Sequence, residues 1–189
     1  MKQKEISNMV VLLGSFLRLS LNKGKNIYMV RDELNHLKCY LDIQNIRCKG
    51  KILFSSDIDE AALDYRMIKL LLQPLVENAI YHGMEFMDGD GEILVRAWRR
   101  EDDLYMSVSD NGLGMTQEQV ERLFRAADHT SSGRGSGIGV KNVNERIKLY
   151  FGTGYGLEIL SEPDEGTTVT AHLPAIPYQE VKKEEAYVK

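Results

Sequence analysis

The sequence predicts an α+β fold: a two-layer sandwich of a mixed β-sheet and helices, preceded by a helical hairpin. Three observations point there. Two stretches with helical apolar spacing open the chain, over residues 6–21 and from residue 30 to Gly50. Strand-like segments then come in neighbouring pairs, at 92–99 with 104–110 and at 157–160 with 167–173, which reads as hairpins. The order runs from helices into mixed helix and strand, unlike the regular alternation of a doubly wound parallel sheet.

In order along the chain, Ile6, Met9, Val10, Leu13, Phe16, Leu17 and Leu21 form the first helical stripe. Residues 22–26, with Gly24, read as a stop and a turn. Val30, Leu34, Leu37 and Leu41 mark the second helix. A hairpin of this size offers a small core, so it must pack on the rest of the chain or on a partner. Residues 52–58 have strand character and 59–64 are a polar connection. Residues 67–82 read as a helix through Ile68, Leu71, Leu72, Leu75, Val76, Ala79 and Ile80. Pro74 interrupts it; a proline inside a helix costs roughly 3 kcal/mol, which predicts a kink or a late start. A loop at 83–91 leads to the first strand pair, which flanks the polar turn 100–103. From Gly112 to Gly139 the chain is glycine-rich and polar, with one short helix at 116–124. Such a stretch inside a compact domain is a functional lid or a disordered linker. Residues 140–151 are helical, and the second strand pair closes the domain. After Pro174 the charged tail reads as loosely held. The expected organisation is a helical segment at 1–50, a main domain at 51–174 and a flexible tail at 175–189.

The chain of 189 residues has a net charge of −4, so bulk charge does not suggest nucleic-acid or anionic-membrane binding. A polyanionic ligand would then be held by backbone N–H groups, single basic residues or a metal ion. No apolar run is long enough to span a bilayer, and residues 1–7 lack a signal-peptide core. Cys39 and Cys48 have no second pair, which argues for free thiols in a reducing compartment over a zinc site.

Four features carry chemistry. Alternation puts Asp110 at the end of the row Leu104, Met106, Val108, where a carboxylate is costly unless a donor satisfies it. Asn111-Gly112-Leu113-Gly114 comes next, and its glycines let a flat ligand approach the backbone. The pattern suits an exocyclic amino group such as that of adenine, or a turn in which Asp110 caps its own backbone. Glu77 and Asn78 interrupt an apolar helix surface; the amide oxygen can ligate Mg²⁺, or the pair can be an ordinary polar face. Gly133, Gly135, Gly137 and Gly139 precede a helix, as a phosphate site or a mobile loop would. The G-x-x-x-x-G-K-[ST] pattern is absent, and the dinucleotide fingerprint lacks its strand. Gly166-Thr167-Thr168 opens the last strand and gains meaning only from the other three.

The order of these features resembles the Bergerat-type ATP-binding fold of the GHKL superfamily, and within it the LytS/YesM-type sensor histidine kinases. The likeness is strongest in residues 72–83, in 137–147 and in the closing 165–174. The resemblance covers nearly all of residues 6–174. It implies ATP and Mg²⁺ as cofactors, with Asn78 holding the metal and Glu77 beside it as the catalytic pair. It implies that Asp110 binds the adenine amino group, with Gly112 and Gly114 beside the base. Residues 115–136, from Met115, would be the ATP lid, with Phe124 in its hinge region. Gly135, Gly137, Ile138, Gly139 and Val140 would meet the phosphates, His82 would border the site, and Thr167 or Thr168 would support the adenine pocket. It implies transfer of the γ-phosphate to a histidine, and as partners a response regulator, the acceptor helix of the same kinase and a second copy. No nucleic-acid or membrane contact is expected of this chain, which would be the cytoplasmic part of a membrane-anchored bacterial sensor kinase.

The pattern departs from the family in two places, and one absence is informative. No histidine stands in a Pro-His-Phe context, and His36, His82, His129 and His172 each have an ordinary structural reading. Residues 6–48 resemble the segment on the C-terminal side of the acceptor helix in that family, so the chain is expected to begin just after that helix. Tyr81 stands where relatives often carry a basic residue, a charge that Arg134 or Lys141 would supply. Pro74 occupies the position one turn before Asn78 where ATP-hydrolysing members place a general base, which favours transfer over hydrolysis.

Overall fold

The computed structural model describes residues 2–21, 27–48, 50–83, 91–125 and 138–178. Helices α1 (Lys2–Ser20) and α2 (Val30–Arg47) form the opening hairpin. The five-stranded sheet is built from β2 (Ile52–Ile58), β4 (Gly91–Arg100), β5 (Asp103–Asp110), β6 (Gly156–Glu162) and β7 (Gly166–Pro174), in the order β2-β4-β5-β7-β6. The β2–β4 pair is parallel and the others are antiparallel, so the sheet is mixed as expected. Helices α3 (Leu72–Asn78) and α5 (Ile138–Phe151) pack on one face, and α4 (Gln117–Arg125) borders α5 and β6.

Alternation decides which strand residues face the helices. Ile93, Val95 and Ala97 of β4, Leu104, Met106 and Val108 of β5, and Val169, Ala171 and Leu173 of β7 are all buried. Val140, Val143 and Ile147 of α5 and Leu72, Leu75 and Val76 of α3 meet them at helical spacing. Each fully buried Leu, Ile or Met contributes about 1.5–3 kcal/mol, so this layer outweighs a single buried carboxylate at its edge.

The helix expected over 67–82 is corrected at its two ends, while the late start that Pro74 predicted is found. Its first residues form a short strand, β3 (Arg66–Ile68), paired antiparallel with β1 (Ile27–Met29). The helix starts late, at Leu72, which makes Pro74 its third residue. There the missing N–H has no intrahelical partner to lose, so the interior cost does not arise. After Asn78 the helix widens into a π-helical turn, Ala79–Gly83.

The loose tail is corrected in part. Ala175 donates to Asp102 O at 2.8 Å, Ile176 O accepts from Arg66 at 2.8 Å, and Tyr178 donates to Asp64 O at 2.9 Å. Backbone bonds to two separate loops hold this segment down; residues 179–189 lie outside the described residues. The β1–β3 pair also ties the opening hairpin to the segment that leads into α3.

Candidate functional site

Asp110 ends β5 on the helix-facing side, next to Val108, in register with Ile93 and Thr167. Its Oδ1 accepts from Gly112 N at 2.9 Å. Burial pushes its carboxyl up to about 6, against the backbone N–H groups of Gly112 and Thr167, which favour the anion. A buried carboxylate held only by backbone donors still has acceptor capacity to offer a ligand N–H.

The walls of the turn are glycine for a geometric reason. Gly114 has φ +63°, and a Cβ there would lie 1.8 Å from the Glu162 carbonyl oxygen. Gly166 has φ +107°, and a Cβ there would lie 2.0 Å from the Asp110 carbonyl oxygen. The β6–β7 turn therefore presses directly on the Asp110–Gly114 segment. Ser161 cross-links it: its Oγ accepts from Met115 N (2.8 Å), donates to Gly166 O (3.0 Å) and bonds the Thr167 hydroxyl (2.9 Å). Sequence reading missed Ser161, because a lone serine in a strand gives no pattern.

Thr167 and Thr168 part company. Thr167 is buried opposite Asp110, whereas Thr168 points to the other face of the sheet and bonds Ser109 Oγ at 2.9 Å. Strand alternation leaves Thr167 as the one beside the carboxylate.

Asn78 closes α3, and the π-helical turn after it packs against β5 and β7. Glu77 Oε1 accepts from Gln73 Nε2 at 2.7 Å. α3 and α5 touch where phosphates are expected: a Cβ on Gly139 would meet Pro74 at 3.7 Å. Val140 beside it is a core residue, 1% exposed. Ile138 begins α5. Gly135, Gly137, Arg134 and most of the expected lid lie outside the described residues, as do the side chains of His82 and Ile138. The short helix of the lid region is α4, with Phe124 half-buried near its end. Among the described residues no three His, Cys, Asp or Glu side chains gather as a metal cluster. A cation beside Asn78 would draw its other ligands from phosphate and water.

Residues 63–177 match the family of histidine kinase-, DNA gyrase B- and HSP90-like ATPases. This chain belongs to that family. Residues 1–52 match the histidine kinase family as well. Sensor histidine kinase YesM of Bacillus subtilis is 37% identical over 173 residues, covering 92% of this chain and 28% of that protein. Sensor protein LytS of Staphylococcus saprophyticus is 31% identical over 177 residues, 93% of this chain and 29% of that protein. The chain spans under a third of the length of these relatives. The catalytic domain of histidine kinase ThkA superposes with a TM-score of 0.60 at 20% identity, over 80% of this chain and 95% of that one. The mycobacterial sensor histidine kinase MprB does so at 0.56 and 18% identity, over 80% and 98%. At such identities the structural likeness is one of fold. The family match and the relatives together make the main domain an ATP-binding catalytic domain of the sensor histidine kinase type.

Proposed function

We propose that the chain binds Mg-ATP with the base at Asp110 and the phosphates between α3 and α5, and serves transfer of the γ-phosphate to a protein histidine. The observation that carries this is Asp110 itself: a part-buried carboxylate, held by backbone donors at the end of a core row. Gly112, Gly114, Met115 and Thr167 surround the base, and Asn78 faces the metal and phosphates with Glu77 beside it. Gly135, Gly137, Ile138, Gly139 and Val140 bring backbone N–H groups at the start of α5. His82 borders the phosphate end. Bound Mg²⁺ would neutralise charge developing on the transferred group.

Hydrolysis is the rival reaction, and Pro74 speaks against it. No carboxylate stands one turn before Asn78, and Glu77 is engaged by Gln73. The acceptor is a histidine on a helix supplied from elsewhere in the full-length protein: His36 is wholly buried and stacked on Phe16 at 4.5 Å. A response regulator would take the phosphoryl group onward. α1 exposes Val10, Leu13 and Leu17, and Leu21 just past its end extends the same stripe, an apolar face suited to a second copy. Among the described residues no helix is long and apolar enough to cross a membrane.

Calorimetric titration with Mg-ATP tests the reading. The wild type is expected to bind, and Asp110→Asn to weaken binding by about a hundredfold, the scale of one lost charge-assisted hydrogen bond in a buried site. Equal affinity for both would reject the adenine assignment.

A further inference from the structure

Glu33 lies on α2, has no exposed surface, and plays no part in the nucleotide site described above. Its carboxylate accepts from the backbone N–H groups of Leu70 (2.9 Å), Leu71 (2.8 Å) and Leu72 (3.0 Å). These donors open α3, whose own N-cap residue, Leu71, contributes no side-chain bond. The first N–H groups of a helix have no intrahelical partner, and buried ones need an acceptor. Here the acceptor comes from a different helix. On the other side of the same turn, Arg146 of α5 donates to the carbonyls of Lys69 (2.6 Å) and Leu70 (3.3 Å). Leu70 has φ +56°, a left-handed backbone that a leucine keeps only where its surroundings over-determine it. Glu33 on its N–H and Arg146 on its carbonyl do this. Burial pushes the Glu33 carboxyl up, while the three N–H groups and Arg146 favour the anion.

α2 also grips the far end of the same segment. Arg47, in its last turn, donates to the Tyr81 hydroxyl at 3.1 Å and lies 5.4 Å from the centre of that ring. Tyr81 stands three residues after Asn78. Between the two grips Tyr40 is buried, close enough to Glu77 and Tyr81 for both to add to the upward push of burial on its phenol. From Glu33 to Arg47, α2 covers about 21 Å, and it meets the segment that contains α3 at its start, middle and end.

We infer that α2 is a strut for the phosphate end of the nucleotide site, with Glu33 and Arg47 as positioning residues that act on Asn78 through α3 and its π-helical turn. The inference rests on the Mg-ATP reading above. Asp110 sits on β5, outside the grip of α2, so the base end and the phosphate end respond separately. By linkage, whatever Mg-ATP does to the setting of α2, the setting of α2 does equally to Mg-ATP affinity.

The test is calorimetric titration of the whole chain with Mg-ATP and, separately, with ADP in excess EDTA, which leaves out the metal contact. Glu33→Gln keeps the side-chain volume and one acceptor oxygen. Arg47→Met keeps the packing stem at an exposed position and poses no folding risk. Mg-ATP affinity is expected to fall about tenfold in Glu33→Gln and about threefold in Arg47→Met, the range over which substitutions away from both ligands modulate coupling. ADP affinity without metal should stay within about twofold of wild type. A merely destabilised protein would lose binding-competent fraction for both nucleotides alike. If Glu33→Gln does not fold, Arg47→Met decides. Equal weakening for both nucleotides, or weakening for neither, overturns the inference. A wild type that binds ADP without metal but gains nothing from Mg²⁺ and the γ-phosphate overturns it too, and faults the Asn78 assignment rather than the strut. A wild type that binds neither nucleotide overturns the ATP reading itself and the inference with it.

Discussion

Asp110 keeps its proton to a higher pH than an unfolded aspartate, because burial lifts it from 3.8 to about 6. Between those values the native state binds more protons than the unfolded one, so this group's contribution to stability falls as pH rises through the window. Binding runs the other way, since a ligand N–H favours the anion. ATP affinity is therefore expected to weaken by up to about tenfold per unit below pH 6 and to level off above 7. Asp110→Asn should flatten that slope, and titrations at several pH values compare the two; identical slopes would reject the assignment. Gly114 makes a sharper structural prediction. Its φ of +63° and the 1.8 Å approach of a Cβ to the Glu162 carbonyl leave no room for a side chain. Gly114→Ala should cost on the order of 3 kcal/mol, about 6–12 °C in Tm by thermal unfolding. At this scale alternation made Asp110 legible. Ser161 was not, because its role exists only once Met115, Gly166 and Thr167 converge on it.

Among the elements, α3 shows how position decides the effect of a residue. Pro74 is the third residue of the helix, where it loses no hydrogen bond. Pro74→Ala should change stability by less than about 1 kcal/mol, or 2–4 °C in Tm, against roughly 3 kcal/mol for an interior proline. A large gain in Tm would show that the proline is strained after all. The β1–β3 pair escaped the sequence reading. Strands of three residues carry no period-2 signal, and their pairing joins residues 27–29 to 66–68. The longer strands β4, β5 and β7 were legible because one face of each is buried along its length.

For the whole molecule, the hairpin faces two ways. α2 is bound into the catalytic part through Glu33, Tyr40 and Arg47, while the outer stripe of α1 with the adjoining Leu21 leaves Val10 and Leu21 more than 60% exposed. If that face pairs copies, the wild type should sediment as a dimer at tens of micromolar, a modest affinity of about −6 kcal/mol. Leu13→Glu with Leu17→Glu should sediment as a monomer and keep its Mg-ATP affinity, since α1 packs chiefly on α2. A wild type that remains monomeric would reject the pairing.

By itself the sequence determined the fold class, the family and the carboxylate that ends the core row of β5, because each rests on local order: apolar periodicity, glycines where side chains cannot fit, and motifs in a fixed succession. Only the tertiary structure decided three further things. It separated Thr167 from Thr168, because the face of a strand is fixed by its register. It placed the start of α3, because the caps come from Glu33 on α2 and Arg146 on α5. It tied the opening hairpin to α3, because the carboxylate and the N–H groups it satisfies lie 37 to 39 residues apart, and no local pattern records that distance.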